Sequence, residues 1–182
     1  RMFASGSPEG WDAVMRVHVR GHFCTSRQAA AHWREQSKAG KRVDARIINT
    51  SSGAGLLGSV GQSAYSAAKA GIAALTLVQA AELARYGVTA NAIAPAARTR
   101  MTEAVFAQTM AKPEPGRFDT MAPENVAPLV VWLGSAESHA VTGRVFEVEG
   151  GKISLADGWR HGPGIDKGSR WEPDEIGAAV AE

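Results

Sequence analysis

The chain has 182 residues, 45% of them hydrophobic and 21% charged, and its 20 Lys and Arg against 18 Asp and Glu leave a net charge of +2. Length and composition suit one globular domain with a real core, and the basic residues are too scattered, with no aromatics between them, to expect nucleic acid or a membrane surface as partner. A single cysteine, Cys24, with no signal peptide and no bilayer-length apolar run read in the sequence, leads to the expectation of a cytoplasmic protein without disulfides.

In chain order, Ser7-Pro8-Glu9 reads as a helix start, because serine caps, proline suits the first helical position and the acid complements the dipole. Trp11, Val14, Met15, Val19, Phe23 and Cys24 then recur at helical spacing to about Trp33, with Cys24 expected to pack as a small apolar core residue. "KAGKRVD" breaks the pattern and "ARIINTSS" is a buried strand. Residues 62–86 form a second long helix closed by Gly87, apolar on more than one face and so expected to be buried on two sides. "VTANAIAP" is a second strand, stopped by Pro95. Residues 99–121 read as a mobile loop, in which Met101, Val105, Phe106 and Met110 at helical spacing either cover a substrate or join the core. Pro123 opens a third helix through Leu133, and "GRVFEVEGG" is a third strand. The Gly-, Pro- and charge-rich stretch from about Gly162 is assigned no structure. The alternation predicts an α/β unit with a parallel sheet over residues 1–161 and an irregular tail over 162–182. Three strands are few for a doubly wound sheet, so half of a larger domain is expected.

"GAGLLG", from Gly53 to Gly58, fits the dinucleotide fingerprint G-x-G-x-x-G letter for letter. Its context does not fit: "SVGQSA" intervenes before the helix, and Glu82, roughly twenty residues on, lies inside a helix where no ribose can reach it. A flexible turn is the better reading. What the turn joins is more informative. Ser52 closes the strand, and Tyr65 begins a helix with Lys69 four positions on, a spacing that places both side chains on one face. An ammonium so placed favours the ionised phenol, and such a tyrosine exchanges a proton with an alcohol or carbonyl. Ser52 stands at the carboxyl end of a strand, where ligands sit in open α/β sheets.

The stretches "WDAVMRVHVRGHF", "RIINTSSGAG", "YSAAKAGIAAL", "GVTANAIAP", "PENVAPLVVWL" and "TGRVFEVEGG", in this order, resemble the short-chain dehydrogenase/reductase family from residue 1 to about 161. The resemblance implies the C-terminal part of a Rossmann-like, doubly wound parallel sheet, NAD or NADP as cofactor, no metal, and a small-molecule substrate that is a secondary alcohol or ketone. It also implies Tyr65 as general acid/base, Ser52 as the group orienting the substrate oxygen, and Lys69 as activating cation and ligand of the nicotinamide ribose. Pro95, Ala97, Arg98 and Thr99 are expected beside the nicotinamide, together with Tyr65 and Lys69. His18 stands where most members carry the asparagine of a proton relay, and a relay role and a satisfied buried histidine are both open. Arg98 and Arg100 read either as exposed loop residues or as ligands of a phosphate. The histidine in "VHVRG", the "AP-x-x-x-x-RMT" pattern and "PLVVWL" followed by "FEVEGG" make the resemblance closest to the 3-hydroxyacyl-CoA dehydrogenase domain of multifunctional β-oxidation enzymes, with steroids also among the expected substrates. Ala96 replaces the usual glycine after Pro95, a departure shared with that subgroup.

The family's T-G-x-x-x-G-x-G and N-N-A-G stretches are missing from these residues, so a longer protein is expected, whose activity needs the missing part. The two long helices are expected to pair with a second copy, giving a homodimer or homotetramer. Two alternatives stand beside the dehydrogenase: a catalytically inert dimerising fragment, and an epimerase or dehydratase of the family's extended branch.

Overall fold

The computed structural model describes residues 2–180, the side chain of Val105 excepted. Four strands, β1 (Ala45–Thr50), β2 (Val88–Ala96), β3 (Val145–Glu149) and β4 (Lys152–Leu155), lie side by side in that order. The first three are parallel, with Ala45 opposite Val88 and Ala92 opposite Val145. β4 returns antiparallel, placing Lys152 opposite Glu149. The sequence reading anticipates three strands and misses β4. Its signal was the Gly150-Gly151 pair, a two-residue hairpin loop with Gly150 in the left-handed region at φ 54°.

The opening helix consists of α1 (Pro8–Met15), one π-helical turn (Arg16–Arg20) and α2 (Gly21–Lys38), and so runs past Trp33. Ser7 caps it as expected, its hydroxyl accepting from the Gly10 amide at 3.2 Å. Cys24 is exposed on α2 and not in the core, because the half-buried stripe of that helix runs through His22, Ser26, Ala29 and Trp33 and Cys24 lies on the opposite face. Helix α3 (Gly53–Leu57) follows β1 directly, and α4 (Ser63–Leu83) ends through a 3₁₀ turn at Gly87. Gly87 is demanded twice, by φ 78° and by the Val43 carbonyl oxygen, which would stand 2.3 Å from any Cβ there.

By length and composition the Ser63–Tyr86 helix is apolar enough to cross a membrane, contrary to the sequence expectation that no such run exists. The fold takes up one face of it, where Ala68, Ile72 and Ala80 are buried with Lys69, Thr76 and Gln79, while Leu77 and Val78 are exposed, so the helix is buried on one side and not on the two expected. Adjacent residues of β1 face opposite layers, as the pleat requires. Ile47 joins Ala80, Val88 and Ala90 with Trp33 and Leu83 on one side. On the other, Ile48 packs on Ile93, Leu133, Phe146 and Val148, where α6 (Ala127–Gly134) covers the sheet. Fully burying a side chain such as Leu133 contributes about 1.5–3 kcal/mol.

A polar chain crosses the first of these layers. The Asn49 amide donates at 2.8 Å both to the Thr76 hydroxyl and to the Gln79 carbonyl oxygen. The Gln79 amide donates to Ser26, and Ser26 to the His22 carbonyl. α2, β1 and α4 are thereby tied together by fully partnered groups.

Pro95 does not stop β2, which continues to Ala96 with Pro95 opposite Val148. Pairing with β1 ends at Thr50–Ile93, so at Pro95 the strand has one open side, where a missing N–H costs nothing. The loop after β2 holds one short helix, α5 (Arg100–Val105). Helical spacing is therefore not sustained from Met101 to Met110: Met101 and Phe106 are exposed and Met110 is buried, while the Val105 side chain lies outside the described residues. The tail is not wholly irregular, since α7 occupies Pro173–Val180.

Candidate active site

The carboxyl end of β1 and the first turns of α4 are laced together at Lys69. The Lys69 ammonium donates to the Thr50 carbonyl at 2.8 Å, and the Ser51 hydroxyl donates to the Lys69 carbonyl at 2.8 Å. Lys69 is only 5% exposed, and burial holds its ammonium below the ordinary lysine pKa. The next residue along the strand, Ser52, is the N-cap of α3, its oxygen accepting from the Ala54 amide at 3.3 Å with its own proton left to donate.

The G-x-G-x-x-G stretch is a helix and not a flexible turn. A Cβ on Gly55 would stand 2.6 Å from the Lys69 carbonyl carbon and Cβ, so this glycine lets α3 lie directly on α4. It serves helix packing at the lysine, not a pyrophosphate.

Tyr65 lies one turn before Lys69, its ring centroid 5.5 Å from the ammonium. The imidazole of His18 meets the same ring edge-on at 5.2 Å. His18 sits in the π turn, a distortion that recurs at functional sites. Its pKa is lowered, first by burial, then by the charge on Lys69 and then by His22. An apolar cavity of about 580 Å³, lined by Phe3, Ser7, Trp11, Gln62 and Tyr65 among others, opens beside the tyrosine.

Of the residues singled out in the sequence, His18 and Lys69 are thus both brought to the Tyr65 ring. Ser52 is brought to the same sheet end through its neighbours Thr50 and Ser51. Pro95 lies in the last turn of the pleat of β2, the strand next to β1, and Ala97, Arg98 and Thr99 follow its carboxyl end. Arg98 does not present its guanidinium to a phosphate. It is buried, donates to the carbonyls of Met110 and Ala111 at 3.1 and 3.3 Å, and pairs with Asp119. Its backbone N–H donates to the Met121 carbonyl, so Arg98 is the staple of the loop that the sequence suggested was mobile. The Thr99 hydroxyl caps α5. Sequence reasoning missed His22, whose only signal was its position one helical turn after His18. Among the described residues no group of three or more His, Cys, Asp or Glu is placed to hold a metal.

The family model described as enoyl-(acyl carrier protein) reductase matches residues 1–152. Hydroxyacyl-CoA dehydrogenase ChsB1 of Mycobacterium tuberculosis is 46% identical over all of this chain and 58% of its own length. Peroxisomal multifunctional enzyme type 2 of Mus musculus is 40% identical over 84% of this chain and 19% of its own. The crystal structure of a short chain dehydrogenase from Mycobacterium avium superposes with a TM-score of 0.88 at 67% identity, covering 100% of this chain and 58% of that one. The chain therefore spans little more than half the length of the relatives it matches end to end. With a mainly parallel sheet flanked by helices, Ser52 just past the end of β1, and Tyr65 and Lys69 one turn apart on α4, the chain belongs to the short-chain dehydrogenase/reductase family.

Proposed function

We propose that this chain carries the proton-transfer residues of an NAD(P)-dependent oxidoreductase acting on a secondary alcohol or ketone, with 3-hydroxyacyl thioesters as the first substrate class and steroids as the second. The observation that carries the reading is Lys69, a buried cation tied to the strand end beside Ser52 and stacked one turn from Tyr65. The donor set fits the nicotinamide end of the cofactor. An ammonium has three protons and Lys69 commits one to Thr50, leaving the others for a ribose hydroxyl. The Gly53–Leu57 helix, taken up by packing on Lys69, offers nothing to the pyrophosphate.

When bound, the nicotinamide accepts or supplies the hydride. The chain's own residues handle the proton and the oxygen. The Ser52 hydroxyl holds the substrate oxygen; the Tyr65 phenolate takes the alcohol proton during oxidation, and the Tyr65 phenol returns it during reduction. Lys69 orients the ribose and holds its charge 5.5 Å from the centre of the Tyr65 ring. His18 packs nearly perpendicular to the Tyr65 ring, and a proton relay through it is part of the proposal.

Incubating the whole protein with a panel of secondary alcohols and 3-hydroxyacyl thioesters, each with NAD and with NADP, is expected to give reduced nicotinamide with a thioester. Turnover of no panel member by the folded protein would overturn the reading. It would favour the alternative of a catalytically inert, dimerising protein.

Pairing of two copies through α2 and α4 is part of the same proposal. Phe23, Leu77 and Val78 are exposed there, beside a groove lined by Val19 and Leu75. Sedimentation as a dimer or tetramer at micromolar concentration is expected, and a persistent monomer refutes it. A cytoplasmic setting is proposed on the single cysteine alone.

A further inference from the structure

The excursion of residues 99–120 leaves and returns past a single side chain. At its neck the Arg98 amide donates to the Met121 carbonyl at 2.7 Å. The Arg98 guanidinium, buried, then reaches three further points of the same excursion. Nη1 donates to the carbonyls of Met110 and Ala111, Nη2 pairs with Asp119 on the returning limb, and Nε stands 3.9 Å from the Glu103 carboxylate on α5. Separate nitrogens serve separate partners, which a planar fork can do and a point charge cannot.

Asp119 is committed as completely. One carboxylate oxygen takes Arg98, the other accepts from the Met121 amide at 3.1 Å, and its carbonyl accepts from the Asn125 side chain at 2.8 Å. The next residue, Thr120, is seated on the β3–β4 hairpin, where its Cα would stand 3.2 Å from a Cβ on Gly150. The returning limb is therefore anchored, and the departing limb is tied to it through the ion pair.

Three large apolar side chains of the excursion, Met101, Phe106 and Phe118, are exposed, whereas Met110 is turned inward. The excursion springs from the inner neighbour of β1: the Ser51 amide donates to the Ile93 carbonyl at 2.7 Å, so Ser52 lies across the sheet from the place where β2 gives way to the loop.

We propose that Arg98 and Asp119 are positioning residues for substrate: their ion pair closes the excursion on its own neck and so holds Met101, Phe106 and Phe118 where an apolar substrate body can meet them. Neither residue touches reacting atoms, and the kinetic consequence rests on the dehydrogenase reading above. Parting the pair leaves a buried guanidinium without its carboxylate, which is costly, so the excursion stays shut. Ser52, Tyr65 and Lys69 belong to the end of β1 and to α4, outside the clasp, and are untouched when it opens.

The test compares Arg98→Met, which removes the charge, Asp119→Asn, which keeps the shape and one acceptor, and Arg98→Lys, which keeps the charge without the fork. Trypsin has exposed targets inside the excursion at Arg100 and Arg117, and an internal control at Arg46, held in β1. Cleavage after Arg100 and Arg117 is expected to be about tenfold faster in the methionine and asparagine variants and intermediate in the lysine variant, with cleavage after Arg46 unchanged, as local opening requires. In turnover, KM for a long-chain 3-hydroxyacyl thioester is expected to rise about tenfold with kcat held within about threefold, as lost uniform binding does, and KM for a short-chain thioester to stay. Unaltered cleavage after Arg100 and Arg117 overturns the clasp. Equal changes in KM for both chain lengths, or a loss confined to kcat, overturn its role in holding an apolar body. If the unaltered protein turns over nothing, the dehydrogenase reading fails by itself and the cleavage rates alone decide the clasp. Should the methionine variant not fold, the asparagine and lysine variants decide it on the same readouts.

Discussion

Tyr65→Phe is expected to reduce turnover by about 10²–10⁴-fold, the usual share of a positioned general acid or base, while the thermal midpoint stays where it was. The substitution removes one oxygen and keeps the ring. The contacts that place the ring, with the His18 edge at 5.2 Å and the Lys69 ammonium at 5.5 Å, are contacts of the ring itself and survive. A loss of activity without a loss of stability therefore reports on the proton that the hydroxyl carries. His18→Asn is the contrasting variant. It keeps a donor and an acceptor at that position, and turnover is expected to stay within about an order of magnitude. Steady-state kinetics and a thermal melt of the two variants check the contrast. A phenylalanine variant that keeps most of its kcat would remove Tyr65 from the mechanism.

Gly55→Ala is expected to cost about 1–3 kcal/mol of stability and about a hundredfold in turnover, although alanine is the better helix former by about 1 kcal/mol. The added Cβ would lie 2.6 Å from the carbonyl carbon and Cβ of Lys69 and 2.7 Å from the nitrogen of Ala70. The atoms met are mostly backbone, so no side chain can swing away, and α3 has to lift from α4 at the residue whose ammonium is held by Thr50. Gly53→Ala in the same helix meets nothing within 4 Å and is expected to be neutral or mildly stabilising. Denaturant melts and kcat of the pair check this, and a Gly55→Ala protein as stable and active as its Gly53→Ala counterpart would show that the helices have room to part.

The difference between these glycines marks where the sequence stops being legible. Period and punctuation disclosed the strand that leads to Ser52, the helix that carries Tyr65 and Lys69, and the cap at Ser7, because each depends on residues within a few positions of one another. The spacing between Gly53 and Gly58 was equally visible, yet its meaning depends on what packs against it, and α4 arrives there from later in the chain. Pro95 misled for the same reason: whether a proline ends a strand depends on whether the neighbouring strand still reaches it, and β1 has ended by then. Cys24 fell on the expected helix but on the face opposite the stripe of His22, Ser26, Ala29 and Trp33. His22 and Arg98 were hidden more deeply, since both act on backbone groups, the Thr50 amide and the Met110 and Ala111 carbonyls, which no residue pattern names.

The polar chain from Ser26 through Gln79 and Asn49 to Thr76 constrains how this sequence can drift. Replacing any single member by an apolar residue strands a donor or acceptor away from water, whereas exchanging the set together strands none. Divergence at positions 26, 49, 76 and 79 is thereby forced to be concerted, and a homologue that keeps three of the four must supply the missing partner from a new direction. The layer between α2 and α4 behaves as a combination lock: its settings are inherited as a group, and apolar neighbours such as Ala80 and Val88 change around it one at a time.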